Sequence, residues 1–206
     1  MSREEAADAA LAQRLLAGEA PSRAAAVPVE PDEDGELQRV ADLVVDVPDF
    51  PVAGVLFKDV TPVLADPEAL AVVAAELAGR AGEAELIVGL EARGFLLAAA
   101  AAVVAGTGVV PIRKAGKLPR VAGSRTYELE YGTATFELPA GVVEPGTRVF
   151  VVDDVLATGG TAEAGAALLA EAGAEVLGVG VLLELPGLGG RDRLGSLPVH
   201  ALLTTG

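Results

Sequence analysis

Residues 149–161 read Val149-Phe150-Val151-Val152-Asp153-Asp154-Val155-Leu156-Ala157-Thr158-Gly159-Gly160-Thr161, and the fold can be read outward from them. The apolar run up to Asp153 does not alternate with polar residues, so it predicts a strand over Arg148–Asp153 that is buried on both faces. Two adjacent carboxylates end that strand, and a small Gly-rich turn then opens a helix over Thr161–Ala172. Backbone N–H groups of Ala157, Thr158, Gly159, Gly160 and Thr161 can converge there on an anion, where the helix dipole favours negative charge. The hydroxyls of Thr158 and Thr161 add donors. No Lys follows the glycines, so this is not a Walker P-loop. Carboxylates repel phosphate unless they face something else, and ribose hydroxyls or a Mg²⁺ between them suit Asp153 and Asp154. A phosphate beside a diol is a ribose 5-phosphate.

On either side, apolar runs alternate with Ala-rich helical stretches. Strands are expected at 86–90, 109–113, 176–185 and 199–203, and helices at 67–80 and 94–105. Gly82, Gly106 and Gly173 stand just past helices, where a left-handed cap favours glycine. The fold class is therefore α/β, a mostly parallel sheet flanked by helices. Ligands of such sheets sit at the carboxyl ends of the strands, which directs attention to the turns there.

Composition narrows the chemistry. Hydrophobic residues make up 51% of the 206, but aromatics only 3%, so Ala, Val and Leu must build the core. There is no Cys, which excludes disulfides and thiolate catalysis and suits a reducing cytoplasm, and the lone His200 is a poor basis for a metal centre. A net charge of −15 argues against nucleic acid and anionic membranes as partners. The longest apolar run, Phe95–Val104, is too short to span a bilayer. Glu4, Glu5 and Asp8 stand where a secretion signal would be basic, so a cytoplasmic protein is expected. Residues 1–37 carry nine acids and three bases, and read as a flexible acidic extension with a short helix over Arg3–Leu16. Residues 38–206 form the main domain.

A second turn, Glu91-Ala92-Arg93-Gly94, follows the strand 86–90. Arg93 offers a bidentate grip on phosphate, and Gly94 permits close backbone approach. Arg113, Lys114, Lys117, Arg120 and Arg125 then fall within thirteen positions that hold no acid. In so acidic a chain this clustering asks for an anionic partner, and a clamp on pyrophosphate with bridging Mg²⁺ meets that need. From Arg120 to Thr147 the chain reads as a long hairpin, the kind of polar loop that closes over an anion site as a lid and excludes water.

Val151–Thr161 resembles the phosphoribosyl-pyrophosphate signature of the type I phosphoribosyltransferases, in the form carried by the adenine-specific family. Glu91–Phe95 resembles that family's pyrophosphate loop, and Arg113-Lys114-Ala115-Gly116-Lys117-Leu118-Pro119 its basic run. The likeness extends from about Pro48 to Arg193, with Lys58 where Arg is common and Ala115 replacing a bulkier residue or Pro. It implies a Rossmann-like type I fold with a small N-terminal hood and a flexible flap at about 115–140. It also implies a Mg²⁺-dependent reaction of adenine with phosphoribosyl pyrophosphate that yields AMP and pyrophosphate in a cytoplasmic homodimer.

Residue roles follow from the same resemblance. Asp153 and Asp154 take the ribose hydroxyls, and 157–161 the 5′-phosphate. Glu91, Ala92, Arg93, Gly94, Arg113, Lys114 and Lys117 take pyrophosphate, with a cis peptide at Glu91–Ala92. No protein ligand to the metal is implied with certainty, Asp153 and Asp154 being the candidates. Glu130 of Glu130-Tyr131-Gly132 is the proposed base with Tyr131 over the sugar, and Glu128 is the alternative. Adenine is placed against Phe57, read by the backbone of Leu56 and Lys58, with Leu185 opposite. Enzymes for hypoxanthine, guanine or xanthine usually carry a charged group after the last strand of this region, whereas Leu185-Pro186-Gly187-Leu188 is apolar. A non-catalytic sensor of the same pyrophosphate is disfavoured by the acidic extension and the intact flap.

Overall fold

The computed structural model describes residues 35–129 and 132–205. In chain order the elements are α1 (Gly35–Asp42), β1 (Val45–Pro48), β2 (Leu56–Asp59), α2 (Thr61–Ala65), α3 (Pro67–Ala81), β3 (Leu86–Leu90), α4 (Gly94–Ala105) and β4 (Gly108–Lys114). Then come β5 (Val121–Leu129), β6 (Gly132–Pro139), β7 (Arg148–Leu156), α5 (Gly160–Glu171), β8 (Glu175–Glu184), α6 (Gly190–Leu194) and β9 (Val199–Thr204). Seven strands form one sheet in the order β5-β6-β4-β3-β7-β8-β9, and β1 and β2 form a separate antiparallel pair.

Parallel pairing joins β4, β3, β7, β8 and β9, while β6 and β5 add an antiparallel edge. Because side chains alternate across a strand, an uninterrupted apolar run supplies both faces at once. Val149 and Val151 enter the core beneath α5, whereas Phe150 and Val152 enter the one beneath α3 and α4. In β3, Val88 and Leu90 join the first core and Ile87 the second.

The helix starts follow local chemistry. Asp66 caps α3 by accepting the backbone N–H of Ala69 at 2.8 Å, and Pro67 follows at the first helical position, where its missing N–H costs nothing. Gly82, Gly106 and Gly173 all take positive φ just beyond their helices. Small residues set how closely helices approach the sheet. A Cβ on Gly89 would lie 2.9 Å from that of Ala98 in α4.

α1, α2, α6 and the hood strands β1 and β2 go beyond the elements expected from sequence. α1 spans the boundary expected at residue 38, and its Val40 is fully buried. The proposed helix over 3–16 lies outside the described residues.

The chain runs from β3 to β4 on one side, and from β7 to β8 on the other. Between β3 and β7 the order therefore reverses, and the turns after these two strands open into a shared crevice. Gly180 on β8 leaves room for the Phe150 ring, since a Cβ there would come within 2.6 Å of it and 2.9 Å of Leu77. Gly180→Ala should cost about 1–3 kcal/mol by overpacking, measured as a lowered urea midpoint at unchanged m-value.

Candidate active site

The crevice holds a cleft of about 880 Å³. Its walls are Leu56, Phe57 and Lys58 of β2, Glu91 to Arg93 after β3, Asp153, Asp154, Ala157, Thr158 and Thr161 around the end of β7, and Leu185 and Leu188 after β8. Residues read from four distant stretches of sequence thus meet in one space. Gly94, Gly159, Gly160, Arg113, Lys114 and Lys117 do not line it.

Strand β7 continues to Leu156 rather than ending at Asp153, because Val155 and Leu156 keep pairing with Leu183 and Glu184 of β8. The two acids therefore lie inside the strand, which holds their backbone rigidly. After Leu156 the chain turns, and α5 starts at Gly160 behind Gly159, which adopts φ 79°. No side chain caps this helix, so its first N–H groups have no side-chain acceptor. That is the arrangement that receives an anion.

Asp153 and Asp154 are both buried, and Asp153 Oδ1 accepts the backbone N–H of Asp154 at 2.9 Å. Burial, reinforced by the neighbouring Asp154 charge, pushes the Asp153 carboxyl well above the usual carboxylate range. Arg93 Nε stands 2.5 Å from Asp154 Oδ2. Their alignment does not make a hydrogen bond, so among the described residues Oδ2 is a buried acceptor held by charge alone. The same guanidinium lies 5.1 Å from the centroid of Phe57, whose ring meets Phe50 edge-on at 5.1 Å. Lys58 is turned to Asp46 across the hood pair, with Nζ 2.6 Å from Oδ1. Gly94 is required by close packing of the protein itself, since a Cβ would lie 2.7 Å from Val152 O and 2.9 Å from Asp153 Oδ1.

The peptide bond between Glu91 and Ala92 is cis, as the resemblance implied. Glu91 gathers the basic run. Its Oε2 accepts the backbone N–H of Lys114 at 2.9 Å and lies 3.6 Å from Arg113 Nε, and Oε1 is paired with Lys117 Nζ. Burial works against its charge, but the Lys117 and Lys114 hydrogen bonds hold the carboxyl below its ordinary range. Arg125 pairs with Glu171 of α5, and the Gly116 N–H donates to Glu137 at 3.1 Å. The anionic partner demanded by the basic run is therefore partly internal. These acids lie 21 to 46 residues away in sequence, so only folding reveals them. Among the described residues Lys114 and Arg120 enter no ion pair, and Arg113 Nε is buried without a hydrogen-bond partner.

The hairpin pairs β5 with β6 from Val121↔Pro139 to Leu129↔Gly132. Glu130 and Tyr131 lie outside the described residues, as does the side chain of Glu128. Sequence reasoning passed over Tyr127. It is buried at the base of this hairpin with its ring 4.8 Å from that of Phe136. Burial raises its phenol pKa; the Thr161 hydroxyl counters that shift, and the Asp153 and Glu91 charges add to it. Alternation along β5 was its only signal, and that also fits a core tyrosine.

Known proteins resemble this chain over most of its length. The phosphoribosyl transferase domain profile matches residues 63–194. The adenine phosphoribosyltransferase of Kineococcus radiotolerans is 59% identical over 175 residues, covering 82% of this chain and 95% of that one. The adenine phosphoribosyltransferase of Saccharopolyspora erythraea is 56% identical over 171 residues, covering 83% and 93%. The chain belongs to the adenine phosphoribosyltransferase family. The crystal structure of the family member from Rhodothermus marinus superposes with a TM-score of 0.77 at 46% identity, covering 82% of this chain and 98% of that one. The Saccharomyces cerevisiae family member, solved with an imino-altritol bisphosphate and adenine, gives 0.76 at 38% identity, covering 82% and 98%.

The raised Asp153 pKa has a thermodynamic consequence. Between the unfolded carboxylate value of about 3.9 and its higher folded value, the native protein binds more protons than the unfolded chain. Stability must then fall as pH rises through that window. Asp153→Asn keeps an acceptor for the Asp154 N–H and cannot ionise. Urea unfolding over a pH series should show the ligand-free variant gaining stability above the window and losing this slope; an unchanged slope would refute the assignment.

Proposed function

We propose that this family member transfers the phosphoribosyl group of phosphoribosyl pyrophosphate to adenine, yielding AMP and pyrophosphate. The observation that carries this reading is the cleft itself. An apolar slot of Leu56, Phe57, Leu185 and Leu188 lies beside paired acids and an uncapped helix N-terminus. Those three features match a purine, a ribose diol and a 5′-phosphate in that order.

In this reading the N–H groups of 157–161 hold the 5′-phosphate, and Asp153 and Asp154 hold the ribose hydroxyls. Adenine lies against Phe57 with Leu185 opposite. The apolar Leu185–Leu188 turn offers nothing charged to a 6-oxo group, which favours adenine among the purines. Arg93, Arg113, Lys114 and Lys117 with Glu91, Ala92 and Gly94 form the pyrophosphate end, where cations offset charge on the leaving group. Arg93 supports this role, being the cation that lines the cleft beside Glu91 and Ala92.

Mg²⁺ is proposed as an ion that arrives with the pyrophosphate. Among the described residues no three His, Cys, Asp or Glu side chains gather into a metal site, while Asp154 Oδ2 is a buried acceptor able to meet an ion or a sugar hydroxyl. When bound, Mg²⁺ would neutralise charge building on the departing oxygens. Glu130 is the proposed base for the ring proton that adenine loses, with Tyr131 above the sugar. A cytoplasmic homodimer completes the proposal. Among the described residues no helix is long and apolar enough to cross a membrane. Leu96 and Val103, one above the other on α4 at 57% and 82% exposure, offer an apolar face for a second copy.

Purified protein with Mg²⁺ and phosphoribosyl pyrophosphate should form AMP from adenine, and no nucleotide from hypoxanthine, guanine or xanthine. Light scattering on the same sample should give twice the chain mass. A nucleotide from another purine would overturn the base assignment, and none from any would overturn the transfer reaction. Glu130→Gln should lower turnover by about 10²–10⁴-fold with AMP affinity nearly unchanged; turnover within a few-fold of the parent would remove Glu130 as the base.

A further inference from the structure

Behind the cleft, α6 touches the phosphate turn backbone to backbone. A Cβ on Gly190 would lie 2.3 Å from Ala157 O, 3.0 Å from Leu156 Cγ and 3.1 Å from Gly159 N. Reciprocally, a Cβ on Gly159 would lie 2.6 Å from Gly190 O. No side chain larger than hydrogen fits between the two segments, so the position of α6 sets that of the turn. α6 is itself held by the end of β8 and the start of β9. Arg191 Nε donates to Glu184 Oε1 at 3.0 Å, its Nη2 to Oε2 at 2.5 Å, and its Nη1 to Val199 O at 2.9 Å.

Glu184 is a buried carboxylate at the last position of β8, immediately before Leu185. The Leu185 N–H donates to Leu156 O at 2.9 Å, which ties the purine wall to the last residue of β7. Arg193 adds an exposed pair to Glu163 of α5 at 2.6 Å, and Leu194 is buried in the core beneath α5. The fork of Arg191 on a desolvated Glu184 is the strong contact in this set, because it is bidentate and one partner is buried. The exposed Arg193 pair contributes little.

We infer that Arg191 and Gly190 are positioning residues: the Arg191–Glu184 pair fixes α6, and α6 through Gly190 sets the phosphate turn in register with the Leu185–Leu188 wall. Neither side chain lines the cleft. They act on substrate only through Ala157–Gly159 and Leu185–Leu188. The inference rests on the phosphate role of the turn proposed above, and its test uses a ligand with no base.

Ribose 5-phosphate binding is measured by calorimetry on the parent chain and on three variants, beside steady-state kinetics with phosphoribosyl pyrophosphate and adenine. Gly190→Ala should weaken ribose 5-phosphate and raise KM for phosphoribosyl pyrophosphate by about 10–100-fold, the scale of an ångström-sized misplacement. Turnover at saturation should change much less, since the reacting groups are untouched. Gly79→Ala, on the exposed face of α3 with nothing within 4 Å of its Cβ, should behave as the parent. Arg191→Lys keeps the charge but not the fork, and should reproduce the KM rise with only slight loss of thermal stability.

Should Gly190→Ala fail to fold, Glu184→Gln combined with Arg191→Met removes the pair without stranding a buried charge, and should give the same split between KM and turnover. Parent-like ribose 5-phosphate affinity in folded Gly190→Ala, or in that double variant, overturns the inference and leaves the transferase reading standing. A parent chain that does not bind ribose 5-phosphate overturns the phosphate role of the turn, and this inference with it.

Discussion

β3 and β7 lie side by side in parallel, with Leu86↔Val149 through Gly89↔Val152 in register, and the remaining geometry of the cleft descends from that pairing. Two adjacent parallel strands deliver their turns to the same edge of the sheet, β3 ending at Leu90 and β7 running on to Leu156. One turn carries Glu91, Ala92 and Arg93, and the other carries Ala157 and Thr158. The pairing holds because both strands are apolar on both faces, with Phe150 and Val152 against α3 and α4 and Val149 and Val151 against α5. Burial of side chains such as Phe150 at about 1.5–3 kcal/mol each stabilises the register against slippage, which would turn every side chain to the wrong face.

Small residues bring the covering elements close enough for the turns to meet. Gly94 lets the start of α4 approach Val152 and Asp153, and Gly159 and Gly190 let the phosphate turn rest on α6. At each point a Cβ would intrude on backbone atoms, so these glycines are set by proximity as much as by conformation. A chain poor in aromatics suits such packing, because Ala and Val faces admit short distances between helix and sheet.

Charge in and beside the cleft is arranged in opposed pairs rather than as a single-sign patch. Arg93 faces Asp154, and Arg113 and Lys117 face Glu91. Each cation thereby offsets part of the cost of burying the carboxylate it faces. Asp153 is the exception. It is buried and stands beside another acid, and both raise its pKa above the usual carboxylate range.

Much of this was legible in the sequence. The strands over 86–90 and 148–156, the helix over 94–105 and the phosphate turn are local in origin, because each follows from a continuous apolar run closed by Gly or by paired acids. The grouping of Asp153, Asp154 and the Gly-rich turn was legible for the same reason, since these residues are neighbours along the chain. The hood residues Leu56, Phe57 and Lys58 came from resemblance alone, for their short strands carry no periodicity. Invisible in the sequence were the two extra residues of pairing beyond Asp154, the Glu91 hub under Arg113 and Lys117, Tyr127 beside Thr161, and the seating of Gly190 on Ala157. Each joins segments far apart in the chain, and residue order alone records no distance between them. The sequence by itself determined which acids, cations and small residues stand in each turn; only the tertiary structure decided which of them share a cleft and which are held by one another, because those are questions of packing across a sheet.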